Sequence, residues 1–172
     1  MRDRATQVAN VNTENERSLS MLIEHGDFHY LVSGDLSGRA SGGENAKVEK
    51  AIGEYIESQD ILVDVLHVNH HGADYSSEQE FLQLIQPTIA VISAGNRNPF
   101  AHPRNAVLDR LADAGVYRII QTSWGTTQQV IPPEVRDIHA IYQNDVVVRS
   151  DGDNFTISTS RTFEADVNPN TQ

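Results

Sequence analysis

Two adjacent imidazoles, His70 and His71, followed at once by Gly72, close a short apolar run over residues 61–68. Imidazole binds metal ions and stabilises developing negative charge, so a pair at the end of an apolar run is hard to explain as packing and reads as half of a metal or phosphate site. Two other apolar runs end in ligand-type residues. The run 28–33 stops at Gly34-Asp35, and the run 88–93 leads into a polar loop from Asn96 to His102-Pro103. If the three runs are neighbouring strands of one sheet, their loops open on the same edge, where open α/β folds collect their sites. One carboxylate and two or three imidazoles then converge, which is the ligand set expected for Zn, Mn or Fe. Taken singly, each feature has a bland reading. Gly-Asp is a common turn pair, a histidine can pack or cap, and His102 before Pro103 suits a plain loop. Their order and placement favour a site. His25, His29, His67 and His139 are assigned to surface or packing roles.

The elements that must position these residues alternate. Residues 18–24 and 28–33 read as a hairpin around His25-Gly26-Asp27. A Gly- and Ser-rich loop through Gly43 reads as mobile or substrate-facing. A helix is expected over 44–58, with Val48, Ile52, Tyr55 and Ile56 at helical spacing. After the strand at 61–68, Ser77 and Glu80 suggest a capping box opening a helix that turns Phe81, Leu82 and Ile85 inward and stops before Pro87. A strand at 88–93, a helix at 105–114 ending at Gly115, and a strand at 117–122 follow. Residues 125–142, with Pro132-Pro133, read as irregular. The stretches 145–149 and 154–158 read as a closing hairpin joined through 150–153. The expected class is α/β: one mixed sheet with flanking helices, strands stacked on its outer face, and a C-terminal β-hairpin. The domain is expected over 15–165, after a loose lead-in at 1–14 and before a disordered tail at 166–172.

The 172-residue chain is long enough for a real core, and 38% hydrophobic with 22% charged residues is a globular balance. A formal net charge of −11 argues against nonspecific nucleic-acid binding. With no cysteine, disulfides, thiolate catalysis and Cys-rich zinc sites are excluded. No apolar stretch approaches the roughly 20 residues that span a membrane. The N-terminus lacks the apolar core of a signal peptide, so an exported form would carry its signal further upstream.

An ordered set of motifs then resembles a known family. Asn15-x-x-Ser18, Leu31-Val-Ser-Gly-Asp35, Asp64-Val-Leu-His-Val-Asn-His-His-Gly72 with Ser76-Ser77, Pro87-x-x-Ala-Val-Ile-Ser93, Asn98-Pro-Phe-Ala-His102-Pro103 and Tyr117-Arg118 with Thr122 are similar to the metallo-β-lactamase-fold domain of the ComEC/Rec2 competence-protein group. The resemblance covers about residues 15–122 and extends to the last hairpin. It implies a hydrolase holding two divalent ions, Zn or Mn. Asp35 would bridge the ions, His70 would bind the second, and a bridging hydroxide would attack a phosphoryl or acyl centre. His71 would be an alternative ligand or a partner of one, and would help bind substrate. His102 would face the substrate and stabilise negative charge, and Asn15 and Ser18 would line the site. Asn69 stands where the family usually has Gly, which leaves the choice between His70 and His71 open.

The superfamily's His-x-His-x-Asp-His motif has no match here, and residues 126–142 look inserted. The chain therefore reads as the C-terminal half of an αββα sandwich, with too few ligands for a tight binuclear site. A missing N-terminal half, a partner chain or a swapped copy would complete it, and an exposed sheet edge would favour a homodimer. The implied function is metal-dependent phosphodiester hydrolysis, with DNA as a possible substrate and a link to DNA uptake. Two alternatives stand beside it: a non-catalytic fragment or interaction domain with a vestigial site, and a lactone or β-lactam hydrolase of the same fold. A ComEC-like context implies a place outside the cytoplasm, and a chain acting alone implies the cytoplasm.

Overall fold

The computed structural model describes residues 14–38, 47–125, 131–159 and 165–167. Six strands form one mixed sheet in simple chain order. β1 (Met21–His25) and β2 (Phe28–Val32) are an antiparallel hairpin. β3 (Val65–His67), β4 (Ile89–Ile92), β5 (Arg118–Gln121) and β6 (His139–Ile141) each lie parallel to the strand before. The crossovers carry α1 (Lys47–Ser58), α2 (Gln79–Ile85), α3 (Asn105–Asp113) and a 3₁₀ turn, Pro133–Val135. Strands that step one way across a sheet by right-handed crossovers put every connection on one face. The core follows that rule: Leu66, Ala90, Ile92 and Ile119 pack with Ile56, Phe81, Leu82, Ile85, Val107, Leu108, Leu111 and Val135.

The other face is covered by a second, antiparallel sheet of β7 (Val146–Ser150), β8 (Phe155–Thr159) and β9 (Ala165–Val167). Phe155 and Ile157 press on Phe28, Val65, Ile89, Val91 and Ile120, and the Phe28 and Phe155 rings lie 5.2 Å apart. Ile89 and Val91 thus face one layer while Ala90 and Ile92 face the other. Strands buried on both faces read as continuous apolar runs, which is why their alternation is hidden in the sequence. The register aligns Val32 with His67, His67 with Val91, and Val91 with Ile120. The parallel strands therefore end together and release their loops along one edge.

The expected class, a mixed α/β sheet with flanking helices and a C-terminal hairpin stacked outside, is the observed one. Four details differ. The strand expected over 61–68 is ordered as β only at Val65–His67. The helix expected to open at Ser77 starts at Gln79, with no side-chain cap at Glu78; Ser77 has φ +50° and its Oγ is taken by the Asn69 N–H, so no capping box forms. The irregular stretch 125–142 contains β6, whose three half-buried residues gave no apolar signal. The C-terminal hairpin sits one residue later than expected and gains β9, which carries strand pairing to Val167. The lead-in 1–13, the loop 39–43, the helix start 44–46, residues 126–130 of the supposed insertion, and 168–172 of the tail lie outside the described residues. Among the described residues no helix is long and apolar enough to cross a membrane.

Candidate active site

The loop after β3 begins with a 3₁₀ stretch, Asn69–Gly72, in which His70 (φ +48°) and His71 (φ +55°) are both left-handed. For a residue with a Cβ this conformation costs about 1–2 kcal/mol, so surrounding contacts must hold it. The Asn69 N–H donates to Ser77 Oγ at 3.2 Å, and Ser76 Oγ donates back to the Asn69 carbonyl at 2.8 Å. The His70 N–H donates to the Gly34 carbonyl at 2.9 Å, tying this loop to the one that carries Asp35. Gly72 (φ +79°) lies against Pro103, where an added Cβ would come within 2.6 Å of the proline ring; Gly125 lies so close to the His102 carbonyl that a Cβ would sit 1.7 Å from its oxygen. Close backbone approach at Gly72 draws the third loop, with His102, onto the histidine loop, and close approach at Gly125 packs it against the loop after β5.

Beneath the histidines is an anchor built from two residues that sequence reasoning missed. Glu49 of α1 is fully buried. Its carboxylate accepts from the Asn69 side-chain amide (2.7 Å) and from the N–H groups of Ser77 (2.7 Å) and Glu78 (2.9 Å). Burial outweighs these bonds and pushes its pKa up to about 7. Arg110 of α3 serves the other side of the same turn, donating to the carbonyls of Asp74 (2.9 Å), Ser76 (2.8 Å) and Ser77 (3.1 Å). The signal for Glu49 is its helical spacing with Gly53 and Ile56, the other buried positions of α1. Arg110 carries no comparable signal.

On this anchor the polar side chains converge. His71 Nδ1 is 2.8 Å from the Ser93 carbonyl. A carbonyl only accepts, so Nδ1 donates and Nε2 is left to face Asp35 Oδ1 at 3.3 Å. His70 has its Nδ1 3.5 Å from Ser37 Oγ, and its ring lies 6.4 Å from that of His71 and 5.7 Å from that of His102. Burial lowers the His70 pKa, with Asp35 opposing and His71 assisting. His102 is buried, and its pKa is pushed down to about 4, first by burial and then by His70, Arg104 and His71. Its Nδ1 is buried and, among the described residues, has no hydrogen-bond partner. Ser18 sits beside Gly34, where an added methyl would lie 3.8 Å from its Oγ. Asn15 opens the 3₁₀ turn Asn15–Arg17, and its carbonyl accepts from the Ser18 N–H at 3.1 Å.

The structure thus brings Asp35, His70, His71 and His102 to one edge, with Ser18 adjoining, and it pairs Asp35 with His71 rather than with His70. Among the described residues, no group of three or more His, Cys, Asp or Glu is placed to hold one metal ion.

Three curated proteins match part of the chain. The chain is 32% identical to ComE operon protein 3 of Bacillus subtilis over 117 residues, which is 68% of the chain and 14% of that protein. It is 31% identical to Recombination protein 2 of Haemophilus influenzae over 98 residues (57% of the chain, 11% of that protein). It is 32% identical to Competence protein ComA of Neisseria gonorrhoeae over 103 residues (60% and 14%). The matched stretch is therefore related to the ComEC/Rec2 competence proteins, and it spans no more than 14% of the length of these relatives. No protein-family model matches the chain, and no solved structure matches it significantly.

Proposed function

We propose that this chain supplies the C-terminal half of a metallo-β-lactamase-fold site in a ComEC/Rec2-like protein, and that the completed site is a metal-dependent phosphodiesterase. The observation that carries the reading is the Asp35–His71 pair. With Nδ1 committed to Ser93, Nε2 is the nitrogen turned toward a carboxylate oxygen 3.3 Å away. Two acceptors at that distance repel unless a positive charge, a proton or a metal ion, lies with them. Two donors sharing one tetrahedral ion at 2.0–2.1 Å would stand about 3.3 Å apart, and carboxylate with imidazole suits Zn or Mn. A carbonyl holding the far nitrogen is the usual way a ligand histidine is oriented.

Asp35 and His71 would hold one ion, and His70 stands beside them for a second. When bound, such ions make hydroxide available near neutral pH. His102 is neutral at pH 7, since its pKa is about 4. A buried Nδ1 with no acceptor favours the tautomer with its proton on Nε2, which offers a neutral donor to charge growing on a phosphoryl oxygen. Ser18 would line the floor with Asn15 leading into it. Two or three donors are too few for a tight binuclear site, so the remaining ligands would come from a missing N-terminal half or a second copy. The relatives' names, competence and recombination, favour DNA as the phosphodiester.

Zn and Mn titrations of the chain and of Asp35→Asn, His71→Ala and His70→Ala test this, together with turnover of bis-p-nitrophenyl phosphate. Binding should weaken by about tenfold or more in the first two variants, and less in the third. Affinity unchanged in all three would leave a non-catalytic interaction module as the reading. Turnover of nitrocefin or a lactone, without phosphodiester cleavage, would replace the substrate class.

A further inference from the structure

Among the described residues four aromatic side chains are exposed, Phe100 and Tyr117 most and Tyr75 and Trp124 less so. Tyr117 precedes β5 and lies at the opposite sheet edge, whereas the other three belong to loops at the site edge. Exposing large rings in water forgoes their burial, so three at one edge need a reason.

Two of them complete a row. The Tyr75 ring meets His70 at 5.4 Å, His70 meets His102 at 5.7 Å, and His102 lies nearly parallel to Phe100 at 5.9 Å with 17° between planes. The imidazoles are the inner pair, and the Tyr75 phenol and Phe100 phenyl rings are the ends. Phe100 is 67% exposed and Tyr75 44%. The loop that carries Phe100, residues 93–104, contains Arg97 and Arg104 and no carboxylate, in a chain of net charge −11. A cationic loop bearing an exposed ring is the combination that binds unpaired nucleic acid: arginines follow the phosphates while bases stack on aromatic faces. Only unpaired bases offer those faces, because a duplex buries them between neighbours.

We propose that Phe100 and Tyr75 are base-stacking platforms flanking the His70–His102 pair, so that the site takes single-stranded rather than duplex nucleic acid. The proposal rests on the phosphodiesterase reading for its substrate class and adds a specificity that the reading lacks.

Binding of the whole chain to a labelled oligothymidylate, an abasic strand of the same length and the corresponding duplex tests it by fluorescence anisotropy. Oligothymidylate should bind about tenfold or more tightly than either control, and Phe100→Leu should remove about five- to hundredfold of that affinity. Tyr75→Leu should act in the same direction. Neither variant should change binding to the abasic strand. Equal affinity for base-bearing and abasic strands, or an unchanged affinity in Phe100→Leu, would overturn the proposal. Base-dependent binding without cleavage under any metal would sink the phosphodiesterase reading and leave the stacking platforms standing. Cleavage without base dependence would do the reverse.

Discussion

The loops after β3 and β4 both bring histidines to the same edge, yet they are fastened differently. Residues 69–78 are gripped from two helices: Glu49 collects their N–H groups and Arg110 their carbonyls. The loop 93–104 is held at its ends, where Thr122 Oγ1 accepts the Ala94 N–H at 3.1 Å and the Arg104 N–H donates to the Gly72 carbonyl at 2.9 Å, and its middle is closed by Asn98. Its side chain accepts the Phe100 N–H at 2.8 Å and donates to the His102 carbonyl at 3.3 Å, and its own N–H donates to the Gly125 carbonyl at 2.6 Å. A buried polar network fixes geometry because each broken bond leaves a group without water. A surface staple gives way at small cost and leaves side chains free to meet a ligand. The first loop is suited to aiming His70 and His71, the second to contact.

The largest expected effect separates the two anchors. Glu49→Ala takes the acceptor from the buried Asn69 amide and Ser77 N–H, at about 1–3 kcal/mol each before relaxation, and removes the bond to the half-buried Glu78 N–H. Stability in urea should fall by about 3 kcal/mol or more, and the His71–Asp35 geometry should loosen with it, read as weakened Zn binding. Asn98→Ala should cost only about 1 kcal/mol, since water can replace its partners. Equal losses in the two variants would remove the distinction between the loops.

Much of this arrangement is legible in the sequence, and what is not has physical causes. The runs 61–68, 88–93 and 117–122 announce buried parallel strands, and the chemistry stands at their ends because parallel strands share one direction. Which histidine faces Asp35 is not legible. It depends on two successive left-handed residues and on the Ser93 carbonyl, neither of which has a side-chain signature. Ser76-Ser77 read as a helix cap because serine before Glu80 usually is one. Here the hydroxyls turn back to Asn69, and long-range hydrogen bonds overrule the local motif. Glu49 hides because a glutamate on a helix reads as solvated, and only the distant donors make its burial tolerable. β6 hides because an edge strand three residues long needs little apolar surface.

A smaller effect comes from pH. Burial raises Glu49 from 4.5 to about 7. Between those values the folded state keeps a proton that the unfolded state has lost, so this group's contribution is full below pH 4.5 and fades as pH rises through about 7. His139 acts in the opposite sense. Its half-buried ring lies against the Gln121 side-chain carbonyl, and burial lowers its pKa from 6.5 to about 4. Its contribution is full above pH 6.5 and is lost as pH falls toward 4. The two slopes oppose one another where the windows overlap. Glu49→Gln removes one of them, so the variant's stability should rise more steeply from pH 4.5 to 6.5 than that of the parent. Parallel pH profiles, measured as urea midpoints, would mean that Glu49 is ionised throughout the range.

The smallest expected effect is the sharpest test of the contrast. Phe100 is 67% exposed and touches the fold through its stack on His102. Phe100→Leu therefore removes little buried apolar area, and stability should stay within about 0.5 kcal/mol of the parent. His102 keeps its burial, because Gly125 presses on its carbonyl and Gly72 on Pro103 whatever stands at position 100. A loss above about 1 kcal/mol in urea would show that the ring is packing, as core rings are, and that the middle of the β4 loop is anchored as firmly as its ends. Unchanged stability with weakened oligothymidylate binding would leave the ring one role: it is exposed because what it packs against arrives with the ligand.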